Sequence, residues 1–434
     1  MKDVFIKSVI SGSHTQPNAT LLAWVVGKRH HGGILFITLA DSTGEIQGVI
    51  KKGSPAFEFA KDIKPESLVR VEIEIGTETG FPVCIIMIDL LSEPSCILSP
   101  RPRQHFDILA SKHADNVLRH KHLYIRNEKF IAIMKVKHSM LMAMRTWFDQ
   151  HGFTEVDMPV LTPLSLYAEQ EAFHVNYFDS TVNLSQCAGL YLQAAVQSLE
   201  RVYTVTPAFR SAPSSSPRHN PEFWHVKGQI AFCNLDDIMQ LVSDMLGHVM
   251  NSVLADCDEY IHKLGTKSQH RLNSSLQCER ITYTEALQLL AKRGLMIEFG
   301  QSIGARGETL LGEEFTQPFF VMYPPSALEP FPYSRCQPDE VLAIAADLIA
   351  PQGYGELLGV AEFEVSRAKV QQRLENSGQW KSEYAWYTEL LDYAPAPHAG
   401  FGAGVERILR WLLGLDHVRD TFPFPRLYDR HIDQ

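Results

Sequence analysis

The chain has 434 residues, enough for two or three domains and a substantial core. Hydrophobic residues make up 45% and charged residues 21%, ordinary proportions for a soluble globular protein. The net charge of −10 excludes a protein that grips polyanions over its whole surface, while a local basic face stays open.

The opening MKDVFIKSVISGS lacks the sustained apolar core of a signal peptide, and no segment is long enough to span a bilayer, so no membrane partner is expected. Residues 1–96 read as β structure. Leu21–Val26, Ile34–Leu39, Glu45–Lys51, Leu68–Ile75 and Cys84–Leu91 are short β-branched runs separated by turn signals such as HHGG and DSTG. Strands of this number and length suggest a small barrel, of which the OB-fold is the common nucleic-acid-binding case. Residues 97–127 carry prolines and then many His and Arg, the composition of a hinge with basic residues available to a nucleic-acid backbone.

A helix starts at Lys129, with Phe130, Ile133, Met134, Met140, Leu141, Met144, Trp147 and Phe148 at helical spacing and Gly152 as its stop. That stripe reads as core or subunit interface. From Arg201 to Phe232, two β-rich runs, Val202–Phe209 and Phe223–Phe232, flank a loop of Ser, Pro and Asn, the signature of an antiparallel hairpin. Arg210 and Arg218 sit at the loop margins with His219 alongside and Phe223 four residues on. A guanidinium donates two hydrogen bonds at once to phosphate, and a nearby ring offers a face to a base, so this group suits a nucleotide triphosphate. Residues 234–295 read as mostly helical and carry nothing catalytic. Seven cysteines without a CxxC pair suit reduced thiols in a cytoplasm and offer no zinc site, and the eighteen histidines contain no HExxH.

The hairpin stretch closely resembles motif 2 of the class II aminoacyl-tRNA synthetases, in the form found in asparaginyl and aspartyl enzymes. Two further segments resemble family motifs in the right order: Gly152–Leu161 (GFTEVDMPVL) and Gly400–Arg426 (GFGAGVERILRWLLGLDHVRDTFPFPR). AWVVGKRHHGGILFITLADSTGEIQGVIKK is similar to the anticodon-binding OB domain of the same subgroup. The resemblance implies an α+β protein: OB-fold domain over 1–96, hinge over 97–127, and a catalytic domain over 128–434 built on an antiparallel sheet flanked by helices. It implies a homodimer with an interface formed by motif 1, here around Pro159. It implies ATP and Mg²⁺ as cofactors and tRNA as partner, with Phe36 stacking on an anticodon base and Gln47 bonding its edge. Such a stack contributes on the order of 1–3 kcal/mol.

Carried onto this chain, the family's roles place Arg210 at the α-phosphate and Arg218, His219 and Arg407 at the outer phosphates. Phe223 stacks on adenine, and the motif-3 glycines, Gly404 among them, let backbone approach ATP. Asp347 and Glu356 match the acidic pair that holds Mg²⁺, although their spacing is one residue longer than the family's. The acid pocket departs from the family pattern. Tyr167 stands where an acidic residue is expected, SQSPQLY becomes SQCAGLY (Gln186 kept, Gly189 replacing a glutamine), Ala212 replaces a glutamate, Lys227 and Gln229 replace two acids, and GGSQRE becomes GVAEFE with Phe363 replacing the arginine. These changes remove the negative charge that holds an α-ammonium and the cation that holds a side-chain oxygen. The expected activity is ATP-dependent activation of a carboxylic acid or amino acid of asparaginyl-tRNA synthetase type, by a paralogue with an altered acid pocket. The alternatives are a genuine asparaginyl-tRNA synthetase, a tRNA-independent amide ligase, and a non-catalytic tRNA-binding protein.

Overall fold

Period-two patterning builds the first part of the molecule. Leu21, Ala23 and Val25 of β1 (Asn18–His31), Leu35, Ile37 and Leu39 of β2 (Ile34–Ala40), and Ile46 and Ile50 of β3 (Glu45–Lys51) all point inward and are buried. Val69, Val71 and Ile73 of β4 (Leu68–Glu74) complete that core with β5 (Val83–Ser92), and Phe57 of the helix Pro55–Asp62 joins the same cluster. The strands close into a barrel in the order β1-β2-β3-β5-β4, antiparallel except for the parallel β3–β5 pair. This is the expected OB-type barrel. Its first strand runs on to His31, so the turn is Gly32-Gly33 alone.

The computed structural model describes residues 2–75, 83–95, 114–167, 171–214, 216–265 and 276–430. It divides into two units, Met1–Ile131 and Ala132–Gln434. The first 17 positions of the sequence's hinge segment, 97–113, lie outside the described residues; beyond them come the short helices Ala114–Arg119 and Lys121–Tyr124.

The larger unit is organised on an eight-stranded sheet. Its strands are β6 (Thr154–Glu155), β10 (Arg201–Phe209), β11 (Glu222–Ala231), β12 (Glu279–Thr282), β13 (Phe319–Met322), β14 (Ala345–Ala350), β15 (Gly355–Glu362) and β16 (His398–Gly404). They lie in the order β12-β13-β14-β15-β16-β11-β10-β6. The middle is antiparallel as expected, but β12–β13 and β10–β6 pair in parallel, so the sheet is mixed at both edges. A separate three-stranded sheet joins β7 (Leu161–Thr162), β9 (Ser180–Leu184) and β8 (His174–Tyr177).

Helices Leu235–Leu264 and Val405–Leu413 pack on the large sheet. The first starts at a reciprocal cap in which the Asn234 side chain accepts from the Asp237 N–H and Asp237 accepts from the Asn234 N–H. Ile238, Val242, Leu246, Val249 and Val253 then recur at helical spacing on its buried face. The second is buried along its length and ends at Gly414, whose φ of 66° is the left-handed stop that glycine allows. These helices cover one face of the sheet and fix the strands that carry the site.

Candidate active site

The hairpin sets the site. In β11 the side chains of Phe223, His225, Lys227 and Gln229 alternate onto one face, because successive residues of a strand point to opposite sides. The next strand presents glycine opposite three of them: His225 pairs with Gly404, Lys227 with Gly402 and Gln229 with Gly400. A Cβ at Gly402 would lie 2.9 Å from Lys227 Nζ, and one at Gly400 would lie 2.7 Å from the Gln229 side chain. The alternating glycines of GFGAG thus leave the floor open for the long side chains of β11. Above it lies a cavity of about 390 Å³.

Arg210 leaves the end of β10 and lies in this cavity with its guanidinium 4.4 Å from the Tyr167 ring and 5.6 Å from the Phe223 ring. Two aromatic contacts fix a cation in place without neutralising it. Among the described residues no carboxylate is in ion-pair range of Arg210, and its Nε is buried without a hydrogen-bond partner. Arg407, on the first turn of the helix after β16, pairs with Glu356 at 2.9 Å. It also donates to His219 Nε2 at 3.2 Å. That bond requires the imidazole to accept, hence to be neutral. Burial and then the Arg407, Arg218 and Arg210 charges pull the His219 pKa down to about 4. His219 is therefore an uncharged prop for Arg407. Arg218 is ion-paired with Glu308, whose carboxylate also accepts from the Glu356 N–H at 3.2 Å.

Asp347 of β14, Glu356 of β15 and Glu329 line the same cavity. Burial followed by the charges of Glu356 and Glu329 raises the Asp347 pKa well above the carboxylate range. Burial opposes ionisation of Glu356 too, but Arg407 and Arg210 outweigh it and hold its pKa low. Burial, then Glu356, pushes Glu329 up to about 7. Among the described residues no three acidic, His or Cys side chains form a ready metal cage.

Of the residues that the resemblance assigns to an acid pocket, Tyr167, Ala212 and Lys227 line the cavity, while Gln186, Gly189, Gln229 and Phe363 are not among its lining residues. Gln186 accepts from the Tyr167 N–H at 3.2 Å, and Gln229 donates to the Gly189 carbonyl at 3.0 Å. Phe363 stacks on His398 with centroids 5.0 Å apart and meets the Tyr333 ring edge-on at 5.6 Å, so it reaches the cavity only through Tyr333. Among the cavity residues that sequence reasoning passed over are Asn220, His225, Glu329 and Tyr333. Both amide atoms of Asn220 and Nδ1 of His225 are buried without partners. Unsatisfied polar atoms of this kind cost about 1–3 kcal/mol each, which a bound ligand can recover. Period-two alternation from Phe223 was the available signal for His225.

Residues 113–428 match the family described as tRNA synthetases class II (D, K and N). The chain belongs to the class II aminoacyl-tRNA synthetases. Residues 19–75 match the OB-fold nucleic acid binding domain. Among solved structures, asparaginyl-tRNA synthetase from Pyrococcus horikoshii, complexed with asparaginyl-adenylate, is similar at 32% identity and TM-score 0.90, with 99% of each chain covered. The asparaginyl-tRNA synthetase of Entamoeba histolytica, also with asparaginyl-adenylate, shares the fold at 22% identity and TM-score 0.86, covering 97% of this chain and 98% of its own. The aspartyl enzyme of the same organism shares it at 20% identity and TM-score 0.82, covering 99% of this chain and 92% of its own. The class II synthetases are ATP-using ligases, and this chain is one of them.

In the OB barrel of this synthetase, Phe36 and Gln47 lie half-buried on the outward face, on adjacent strands where Phe36 pairs with Val49 and Thr38 with Gln47. Arg29 of β1 sits 5.1 Å from the Phe36 ring. No helix among the described residues is long and apolar enough to cross a membrane.

Proposed function

We propose that this synthetase uses ATP to convert a carboxylic acid into its acyl-adenylate, releasing pyrophosphate, in an acid pocket altered from that of the asparaginyl enzymes. The observation that carries this is the convergence of Arg210, Arg407, Phe223 and Glu356 on one cavity beside a wall that holds Lys227. Two similar proteins were solved with asparaginyl-adenylate, which supports the same type of intermediate here. The acid's carboxylate oxygen attacks the α-phosphorus, the bond to the bridging oxygen breaks, and the electron pair leaves with pyrophosphate. Positioning and charge stabilisation carry such a step, and no protein nucleophile is required.

Arg210 meets the α-phosphate, with Phe223 stacking on adenine while its other contacts hold the guanidinium in line. Arg407 and Arg218 meet the outer phosphates, with His219 orienting Arg407, and Gly404 gives the nucleotide access to backbone. Glu356 and Asp347 would hold Mg²⁺. The donor set fits: burial and then the repulsion of Glu356 and Glu329 drive Asp347 toward the neutral form, a divalent cation would relieve the repulsion, and Mg²⁺ accepts one or two carboxylates with water and phosphate oxygens completing its shell. When bound, it neutralises charge on the phosphates.

The OB domain over 1–96 is proposed to take a tRNA anticodon through Phe36 and Gln47, linked through 97–127 to the catalytic domain over 128–434, with tRNA or another acceptor receiving the acyl group. A homodimer is proposed through the region after Pro159, where Leu161, Tyr177 and Phe178 are exposed. Light scattering at a single-chain mass would sink that part. The decisive experiment is acid-dependent ATP–pyrophosphate exchange, run with asparagine and a panel of other acids and repeated with and without tRNA. Exchange with asparagine as fast as an ordinary asparaginyl enzyme's would overturn the altered pocket.

Glu329 gives the site a pH signature. Its pKa, raised to about 7, makes it neutral below that pH and charged above, in the cavity proposed to take an anionic ligand. The KM for the acid is expected to rise about threefold to tenfold from pH 6 to 8, and Glu329→Gln should flatten that limb. An equal rise in the variant assigns the limb to another group.

A further inference from the structure

Lys227 is 9% exposed, at the middle of β11, with its ammonium at the cavity wall. Its hydrogen-bond partner is the sulfur of Cys187 at 2.8 Å, a weak acceptor that also takes the Gly189 N–H at 3.2 Å. The charged and titratable groups nearest to it are Cys187, Tyr167, Arg210 and His225, and among the described residues no carboxylate is in ion-pair range. Burial works against its charge, but Cys187 and then Tyr167 outweigh it and hold its pKa above the usual lysine value, so the cavity wall presents an ammonium with no carboxylate beside it among the described residues. The two glycines beside it keep the approach clear: a Cβ at Gly402 would crowd Nζ at 2.9 Å, and one at Gly189 would stand 3.8 Å away. Arg210 lines the same cavity and its charge reaches Lys227, so an acid there meets two cations, one of them taken up by the α-phosphate in the proposed function.

We propose that the acid activated here is a dicarboxylate: one carboxylate attacks ATP, and the second is held by Lys227 in the place where an amino acid would present its ammonium. This rests on the reading of the cavity as an adenylating site. Lys227 acts in binding and takes no part in the bond changes, so its removal is read in KM and spares kcat.

The experiment is pyrophosphate exchange with succinate, glutarate and adipate against butyrate and asparagine, in the wild type, Lys227→Arg and Lys227→Met. A dicarboxylate is expected to be the best of the panel. Lys227→Met should raise its KM about 100-fold with kcat and the KM for ATP within a fewfold, and Lys227→Arg should recover part of the loss. Lys227→Met should melt no lower than the wild type, since it replaces a buried charge by an apolar chain of similar length. A calorimetric titration of each dicarboxylate into protein saturated with a non-hydrolysable ATP analogue gives a second readout. Butyrate or asparagine exchanging as well as the dicarboxylates overturns the inference, as does a KM unchanged in Lys227→Met. Absence of exchange with every acid sinks the adenylation reading and with it the activation of a dicarboxylate, while the titration separately decides the Lys227 subsite: dicarboxylate binding lost in Lys227→Met sustains that subsite, and binding that is absent or indifferent to the substitution overturns it.

Discussion

Arg210→Ala is expected to lower acid-dependent pyrophosphate exchange by about 100- to 1000-fold, the range found when one preorganised donor to a developing charge is removed. The loss should fall on kcat more than on the KM for ATP, because in the proposed arrangement Arg407 and Arg218 would still hold the outer phosphates. The reason lies in how the guanidinium is kept. It rests between the rings of Tyr167 and Phe223 and has no carboxylate in ion-pair range among the described residues, so its charge is undiminished when a phosphate arrives. Lysine should restore little of the loss, since a point charge on a flexible stem cannot reproduce the planar fork or its stacking. Nucleotide-dependent exchange within tenfold of the wild type would reduce Arg210 to a packing residue.

Gly355→Ala should combine a stability loss with a weaker nucleotide site. Gly355 has φ of 72°, a left-handed conformation that costs a side-chain-bearing residue roughly 1–2 kcal/mol. An added methyl would also overlap the Arg218 guanidinium and come within 2.6 Å of Glu308 Oε2. The Arg218–Glu308 pair would have to part, and with it the carboxylate that receives the Glu356 N–H. A fall of a few degrees in melting temperature is expected, with a KM for ATP raised about tenfold. Calorimetry and exchange kinetics measure the two, and a variant normal in both would show that the loop between β14 and β15 tolerates movement.

The elements with strong local signals were legible from the residues. The barrel strands alternate, and the hairpin β10–β11 is two apolar runs around a polar loop, so even its pairing followed. The edge strands β6 and β12 were not legible, because two- and four-residue strands gain their identity from a distant parallel partner and carry little pattern of their own. Within the site, the residue types of motif 2 pointed to Arg210, Arg218 and Phe223, and the alternation of a strand could have added His225. Charge state was beyond reach. That His219 is neutral depends on Arg407, 188 positions away in sequence and 3.2 Å away in space. The placement of Phe363 behind Tyr333 and of Gln229 against the Gly189 carbonyl likewise depends on which strand lies beside which. A single strand's pattern cannot show that.

The bare ribbon of Gly400, Gly402 and Gly404 has a consequence for how such a protein changes over time. With no side chain on the face that these glycines turn to the cavity, that wall of the chamber takes its shape and polarity from the neighbouring strand, whose residues can be exchanged without disturbing the glycine backbone. Selectivity toward acids can therefore drift while the proposed nucleotide half of the site stays intact, and a designer wishing to redirect it should vary positions 225 and 227 and leave the ribbon untouched.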